Sequence, residues 1–124
     1  MFLEHVNISV VDLDRSVDFY RRLFGFRVRW KGENSKGWPA AHVGDEKTYV
    51  ALFQPPAPET VAQDYETIGL NHYGFVVEDL EEVKRRLGEM GVEPHLEADY
   101  DPGRRIYFYD PDGVEIELSA YDPV

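Results

Sequence analysis

Two stretches of this chain are near copies of each other, and that repetition restricts the possible folds more than any other feature. Residues 70–92, LNHYGFVVEDLEEVKRRLGEMGV, read as a strand, a capped helix and a glycine stop. Setting His5 against His72, an offset of 67, also pairs Val10 with Val77, Asp12 with Asp79 and Leu13 with Leu80. After a slip of one residue both helical stretches close on glycine, at Gly25 and Gly91. An internal period decides the architecture and so is weighed first. Two copies are too few for a solenoid, and the repeat predicts a pseudo-symmetric domain of two modules.

In residues 5–10 (HVNISV), Val6, Ile8 and Val10 alternate with His5, Asn7 and Ser9, as in a half-buried strand with one polar face. Asp12 suits a helix N-cap, and Leu13, Val17, Tyr20 and Leu23 form an apolar stripe over residues 13–24 that stops at Gly25. Strands are predicted over 26–31, 38–43 and 48–54, so the first module reads β-α-β-β-β. Pro55, Pro56 and Pro58 end it, and the stretch to Gly69 reads as a polar linker. The second module repeats the layout. It has a strand over 71–77, Asp79 with Glu82 as a capping box, a Leu80/Val83/Leu87/Met90 stripe, and strands over 93–98, 104–109 and 114–120. The expected class is α+β: one domain with module one at 1–54, a linker at 55–69 and module two at 70–124.

At 124 residues such a domain buries about two-thirds of its unfolded surface and needs no staples. It has no cysteine, no apolar run approaching about 18 residues and no charged-then-apolar leader, which makes a cytoplasmic protein the expectation. A net charge of −11 argues against sequence-independent binding to nucleic acid or an anionic membrane, which cationic side chains drive. With 24 acidic residues, no single carboxylate points to a site by itself, so spacing and face must do so.

Strand parity supplies such an argument. If helices cover the Val/Ile/Leu face of each sheet, then His5, His72 and Glu117 all fall on the opposite face. Two imidazoles and a carboxylate meeting there form a divalent metal site with positions left for water or substrate. The plainer reading is that each is a solvated polar residue on an exposed sheet face. The matched placing of His5 and His72 in two copies favours the metal.

HVNISVVDLDRSVDFYRRLFGF at the start, NHYGFVVEDLEEV in the middle and YFYDPDGVEIEL at the end resemble the vicinal oxygen chelate superfamily, which holds glyoxalases, fosfomycin-resistance thiol transferases, extradiol dioxygenases and bleomycin-binding proteins. The resemblance implies two βαβββ modules forming a U-shaped mixed sheet around a metal cavity. It implies a divalent ion (Zn, Mn, Fe or Ni) held by His5, His72 and Glu117, with Glu115 as second choice. In glyoxalase I a fourth ligand precedes a leucine of strand four; the matching residue here is Ala51, which cannot bind metal. Gln54 lies on the other face and would need a shifted strand.

The chemistry so implied is chelation of two adjacent oxygens of a small substrate, with stabilisation of an oxyanion or enolate. His42 is the candidate acid/base, Asn7, Trp38, Tyr49 and Tyr107 are candidate lining residues, and Arg105 is a candidate partner for an anionic substrate group. The rival reading is a non-catalytic, sequestering protein of the bleomycin-resistance type. A homodimer is expected by resemblance alone.

Overall fold

A computed structural model describes residues 1–60 and 64–123, and the chain divides into two compact units, residues 1–60 and 61–124. Part of the linker predicted over 55–69, residues 61–63, lies outside the described residues. Unit one runs β1 (His5–Ser9), α1 (Leu13–Phe24), β2 (Arg27–Glu33), β3 (Pro39–Gly44) and β4 (Tyr49–Phe53). Its sheet has the order β1-β4-β3-β2, with β1 parallel to β4 and the other pairs antiparallel. Unit two runs β5 (His72–Val76), α2 (Leu80–Glu89), β6 (Leu96–Tyr100), β7 (Gly103–Tyr109) and β8 (Glu115–Tyr121). Its order, β5-β8-β7-β6, again has one parallel pair at the first strand. The class is α+β, and each unit is one βαβββ module, so the repeat in sequence is a repeat in topology.

Local chemistry fixes the helix ends. Asp12 accepts from the Arg15 N–H at 3.1 Å, and Gly25 takes the left-handed conformation (φ 69°) and donates to the Arg21 carbonyl. Gln54 accepts from the Leu13 N–H at 2.7 Å, which ties the α1 N-terminus to the end of β4 and engages this side chain on the helical side of the sheet. In α2, Asp79 accepts from the Glu82 N–H at 3.1 Å, but the Glu82 carboxylate turns to Arg85 and Arg86. The predicted capping box is therefore met by its Asp79 half, because two guanidiniums hold Glu82 more strongly than a backbone N–H would.

Each helix covers one face of its own sheet. Leu13, Val17, Tyr20 and Leu23 of α1 are buried with Val43, Val50 and Leu52, and Leu80, Val83 and Leu87 of α2 with Ile106, Phe108, Ile116 and Leu118. Each large aliphatic side chain so buried contributes about 1.5–3 kcal/mol.

Strand ends shift by one to three residues from the sequence expectation, and two of the shifts have a clear local cause. β6 starts at Leu96, three residues after the predicted 93, because Pro94 has no N–H to give a ladder; pairing begins with His95 N–H on the Tyr107 carbonyl at 2.9 Å. Trp38 precedes β3 and lies in the hairpin loop, where its N–H and that of Lys36 both donate to the Asn34 side chain at 3.0 Å.

Candidate metal centre

In unit two the face away from the core carries a connected set of polar groups. β5 pairs with β8 so that His72 stands opposite Glu115 and Gly74 opposite Glu117, while β7 sets Tyr107 opposite Glu117 and Arg105 opposite Ser119. His72 and Glu117 are thus diagonal neighbours, and His72 Nε2 lies 3.3 Å from Glu117 Oε1. Gly74 makes room between them: a Cβ there would meet the Glu117 carbonyl oxygen at 3.3 Å and its Cβ at 3.5 Å.

Glu117 is held from several sides. Ser119 Oγ donates to its Oε2 at 2.8 Å, and Arg105 Nε lies 3.3 Å from the same oxygen. Burial alone would push this carboxyl up, but the Ser119 and Tyr107 hydroxyls and His72 outweigh it, and it titrates below the usual carboxylate range. The Tyr107 phenol is pushed up to about 12, first by burial and then by its bond to Glu117, so it stays a proton donor at neutral pH.

Arg105 is enclosed. Its guanidinium lies over Tyr100 at 5.1 Å and Tyr121 at 5.5 Å, and its Nη1 is buried with no hydrogen-bond acceptor. Its charge already faces Glu117, where the sequence suggested an anionic substrate group.

Two residues enter that sequence reasoning left aside or missed. Glu115 is only 7% exposed, and burial followed by Glu117 repulsion raises its carboxyl. His95 Nε2 lies 2.9 Å from Glu115 Oε2 and its ring stacks on Tyr109 at 4.4 Å. Glu115 Oε1 is buried without a hydrogen-bond partner and lies 3.8 Å from His72 Nδ1. No spacing rule could have found His95: only the β6–β7 register brings it to this face.

Unit one presents a ladder of rings. His5 stacks on Tyr49 at 4.7 Å, Tyr49 on His42 at 4.5 Å, and His42 meets Trp30 at 5.1 Å. Arg29 lies over Tyr49 at 4.7 Å. Burial, with the charges of His5 and Arg29, pushes His42 below its usual range and keeps it neutral. The Asn7 amide donates to the Ala51 carbonyl at 3.1 Å, and Lys36 sits over the Trp38 ring at 4.8 Å. Ala51, beside Asn7 and His42 in register, brings no ligand to this face.

Among the described residues, no group of three or more His, Cys, Asp or Glu side chains is gathered as a metal site; the proposed ligands brought together are His72 and Glu117. Their geometry suits an ion. With metal–ligand bonds of about 2.0–2.2 Å, neighbouring ligands at tetrahedral to octahedral angles lie about 2.8–3.6 Å apart, and the His72–Glu117 separation of 3.3 Å falls in that interval. An imidazole with a carboxylate is a donor set suited to Zn, Mn, Fe or Ni.

Comparison with known proteins places the fold in a family. The family model described as Glyoxalase/Bleomycin resistance protein/Dioxygenase superfamily matches residues 2–118. The "Probable trivalent organoarsenical cleaving enzyme" of Bacillus subtilis (strain 168) is 32% identical over 125 residues, covering 92% of this chain and 76% of that one. "Glutathione transferase FosA" of Serratia marcescens is 32% identical over 125 residues, covering 95% and 79%. The solved glyoxylase/bleomycin resistance protein/dioxygenase domain from Frankia sp. EAN1pec superposes with a TM-score of 0.85 at 23% identity, covering 98% of this chain and 93% of that one. Several relatives are named as enzymes, and one solved neighbour, a mutant of the fosfomycin resistance protein FosX from Listeria monocytogenes, is a complex with Mn(II). The match over nearly its whole length establishes that this chain belongs to the Glyoxalase/Bleomycin resistance protein/Dioxygenase superfamily.

Proposed function

We propose that the chain is a divalent-metal-dependent enzyme that takes two adjacent oxygens of a small substrate and stabilises the oxyanion or enolate formed from them. The observation that carries this is the approach of His72 Nε2 to Glu117 Oε1 at 3.3 Å on a face kept clear by Gly74. His72 and Glu117 would hold the ion, and His5, which occupies the matching place in the first module, is proposed as a third ligand. Bound there, a divalent ion supplies Lewis-acid stabilisation of developing negative charge, worth several kcal/mol of barrier.

The other roles fall to this chain's own side chains. Tyr107 and Ser119 keep Glu117 ionised and oriented, and Tyr107 retains its proton for donation to an oxyanion. His42, kept neutral by burial, is the proposed proton acceptor. Arg105 offsets the Glu117 charge. A homodimer is proposed from family resemblance, with light scattering as its check.

Elemental analysis of protein purified after metal-replete growth tests the reading. The expected result is about one Zn, Mn, Fe or Ni per chain, falling at least about tenfold in His72→Ala and Glu117→Gln. Metal-free wild-type protein from such cells would overturn it in favour of a sequestering role.

A further inference from the structure

Both histidines proposed as ligands make the same local contact. His5 Nδ1 lies 2.9 Å from Oε1 of Glu4, and His72 Nδ1 lies 2.7 Å from Oδ1 of Asn71. In each module the residue immediately before the histidine supplies an oxygen to Nδ1. Glu117 shows the corresponding arrangement for a carboxylate: Ser119 and Arg105 both engage Oε2, while Oε1 faces His72.

We infer that each proposed ligand is tethered through the atom it does not offer, with Glu4 and Asn71 setting the tautomers of His5 and His72 and Ser119 setting which oxygen Glu117 presents. The nearest acceptor at each Nδ1 is the ground for this. An ionised carboxylate can only accept, so the hydrogen at the Glu4 contact belongs to Nδ1 of His5. Its Glu4 partner is itself oriented, because the Tyr49 hydroxyl also bonds it. At His72 the Asn71 carbonyl oxygen is the close neighbour of Nδ1 at 2.7 Å, nearer than the Tyr65 hydroxyl at 3.3 Å and Glu115 Oε1 at 3.8 Å. Each ring thus has an acceptor for a hydrogen on Nδ1, the tautomer that keeps the Nε2 lone pair for a cation; at His72 this sets the Asn71 tether against Glu117 Oε1, which lies 3.3 Å from Nε2. Ser119 is buried on β8, in the same strand as the carboxylate to which its hydroxyl donates.

Such a lock matters because a neutral imidazole with the hydrogen on Nε2 cannot bind metal through that atom. Outer partners that fix the tautomer and orientation of ligands commonly change metal affinity 10- to about 100-fold when removed. Glu4, Asn71 and Ser119 are positioning residues in this scheme, and they act through His5, His72 and Glu117. The inference rests on the reading of those three as ligands, so its test needs one measurement without metal and one with it.

Two experiments on the full chain do this. In the metal-free protein, long-range proton–nitrogen NMR at neutral pH reads the tautomer of each ring; hydrogen on Nδ1 of both His5 and His72 is expected, and hydrogen on Nε2 of either would overturn the lock there. Cobalt(II) titration followed in the visible spectrum then compares deletions with conservative changes. Asn71→Ala, Glu4→Ala and Ser119→Ala are expected to lose about 10- to 100-fold in cobalt affinity and to shift the absorption bands, while Asn71→Asp, Glu4→Gln and Ser119→Thr, which keep the acceptor or hydroxyl, stay within about threefold of wild type. Equal affinity and spectra in a deletion and its conservative counterpart would overturn the positioning role of that residue. Failure of wild-type protein to bind cobalt, with both rings locked on Nδ1, would overturn the ligand reading alone.

Discussion

Glu117 is surrounded by hydrogen-bond donors, whereas Glu115, two residues along the same strand, has the His95 contact and a buried oxygen with no hydrogen-bond partner. That contrast explains why one carboxyl titrates below its ordinary range and the other above it. Removing a donor from Glu117 must raise it, since the donor favours the charged form. Tyr107→Phe is expected to move the Glu117 carboxyl upward in metal-free protein, read by carbon NMR across an acid titration. An unchanged value would show that the phenol contributes nothing. That His72 and Glu117 share a face was legible from alternation, because a strand's side chains repeat every two residues. Their partners were not legible in the same way. Ser119 and Arg105 meet only through the β7–β8 register, and His95 reaches Glu115 from a third strand.

At the scale of elements, helix signals were the clearest. Residues 13–24 were expected and found as α1, because an N-cap aspartate, an apolar stripe and a left-handed glycine all agree. The strands drifted where backbone donors were missing, as at Pro94, which no hydrophobic pattern records. Helix α2 supplies an acid-sensitive feature. The Arg85 contact holds the Glu82 carboxyl down to about 2 from an ordinary 4.5. A depressed carboxyl stabilises the folded state above its unfolded value, so this contribution is whole above pH 4.5 and is lost as pH falls toward about 2. Glu82→Gln should therefore melt earlier than wild type at neutral pH, with the gap closing across that interval; a gap constant with pH would refute the linkage. The helix stripes allow a paired comparison. Leu23 and Leu87 are both wholly buried, and Leu23→Ala and Leu87→Ala should each cost about 2–5 kcal/mol in denaturant unfolding.

At the scale of the whole molecule, the duplication was legible because it was written in residue types with structural duties: a capping aspartate, a stopping glycine and a histidine at the same pleat of the first strand. The resulting units share their strand order, yet their outward faces have diverged. The first carries stacked rings from His5 to Trp30, and the second carries a run of polar contacts from His95 through Glu115 and Glu117 to Arg105. Sequence composition does not encode that divergence, since it depends on which side chains meet across each ladder.

One small position shows how little separates such faces. Where β5 passes Glu117, Gly74 has no side chain, and a methyl group would already press on the neighbouring backbone. A branched or aromatic residue at this point would roof over the carboxylate without touching the core behind it. A substitution at this single position would thus cover the Glu117 carboxylate and leave the fold itself standing.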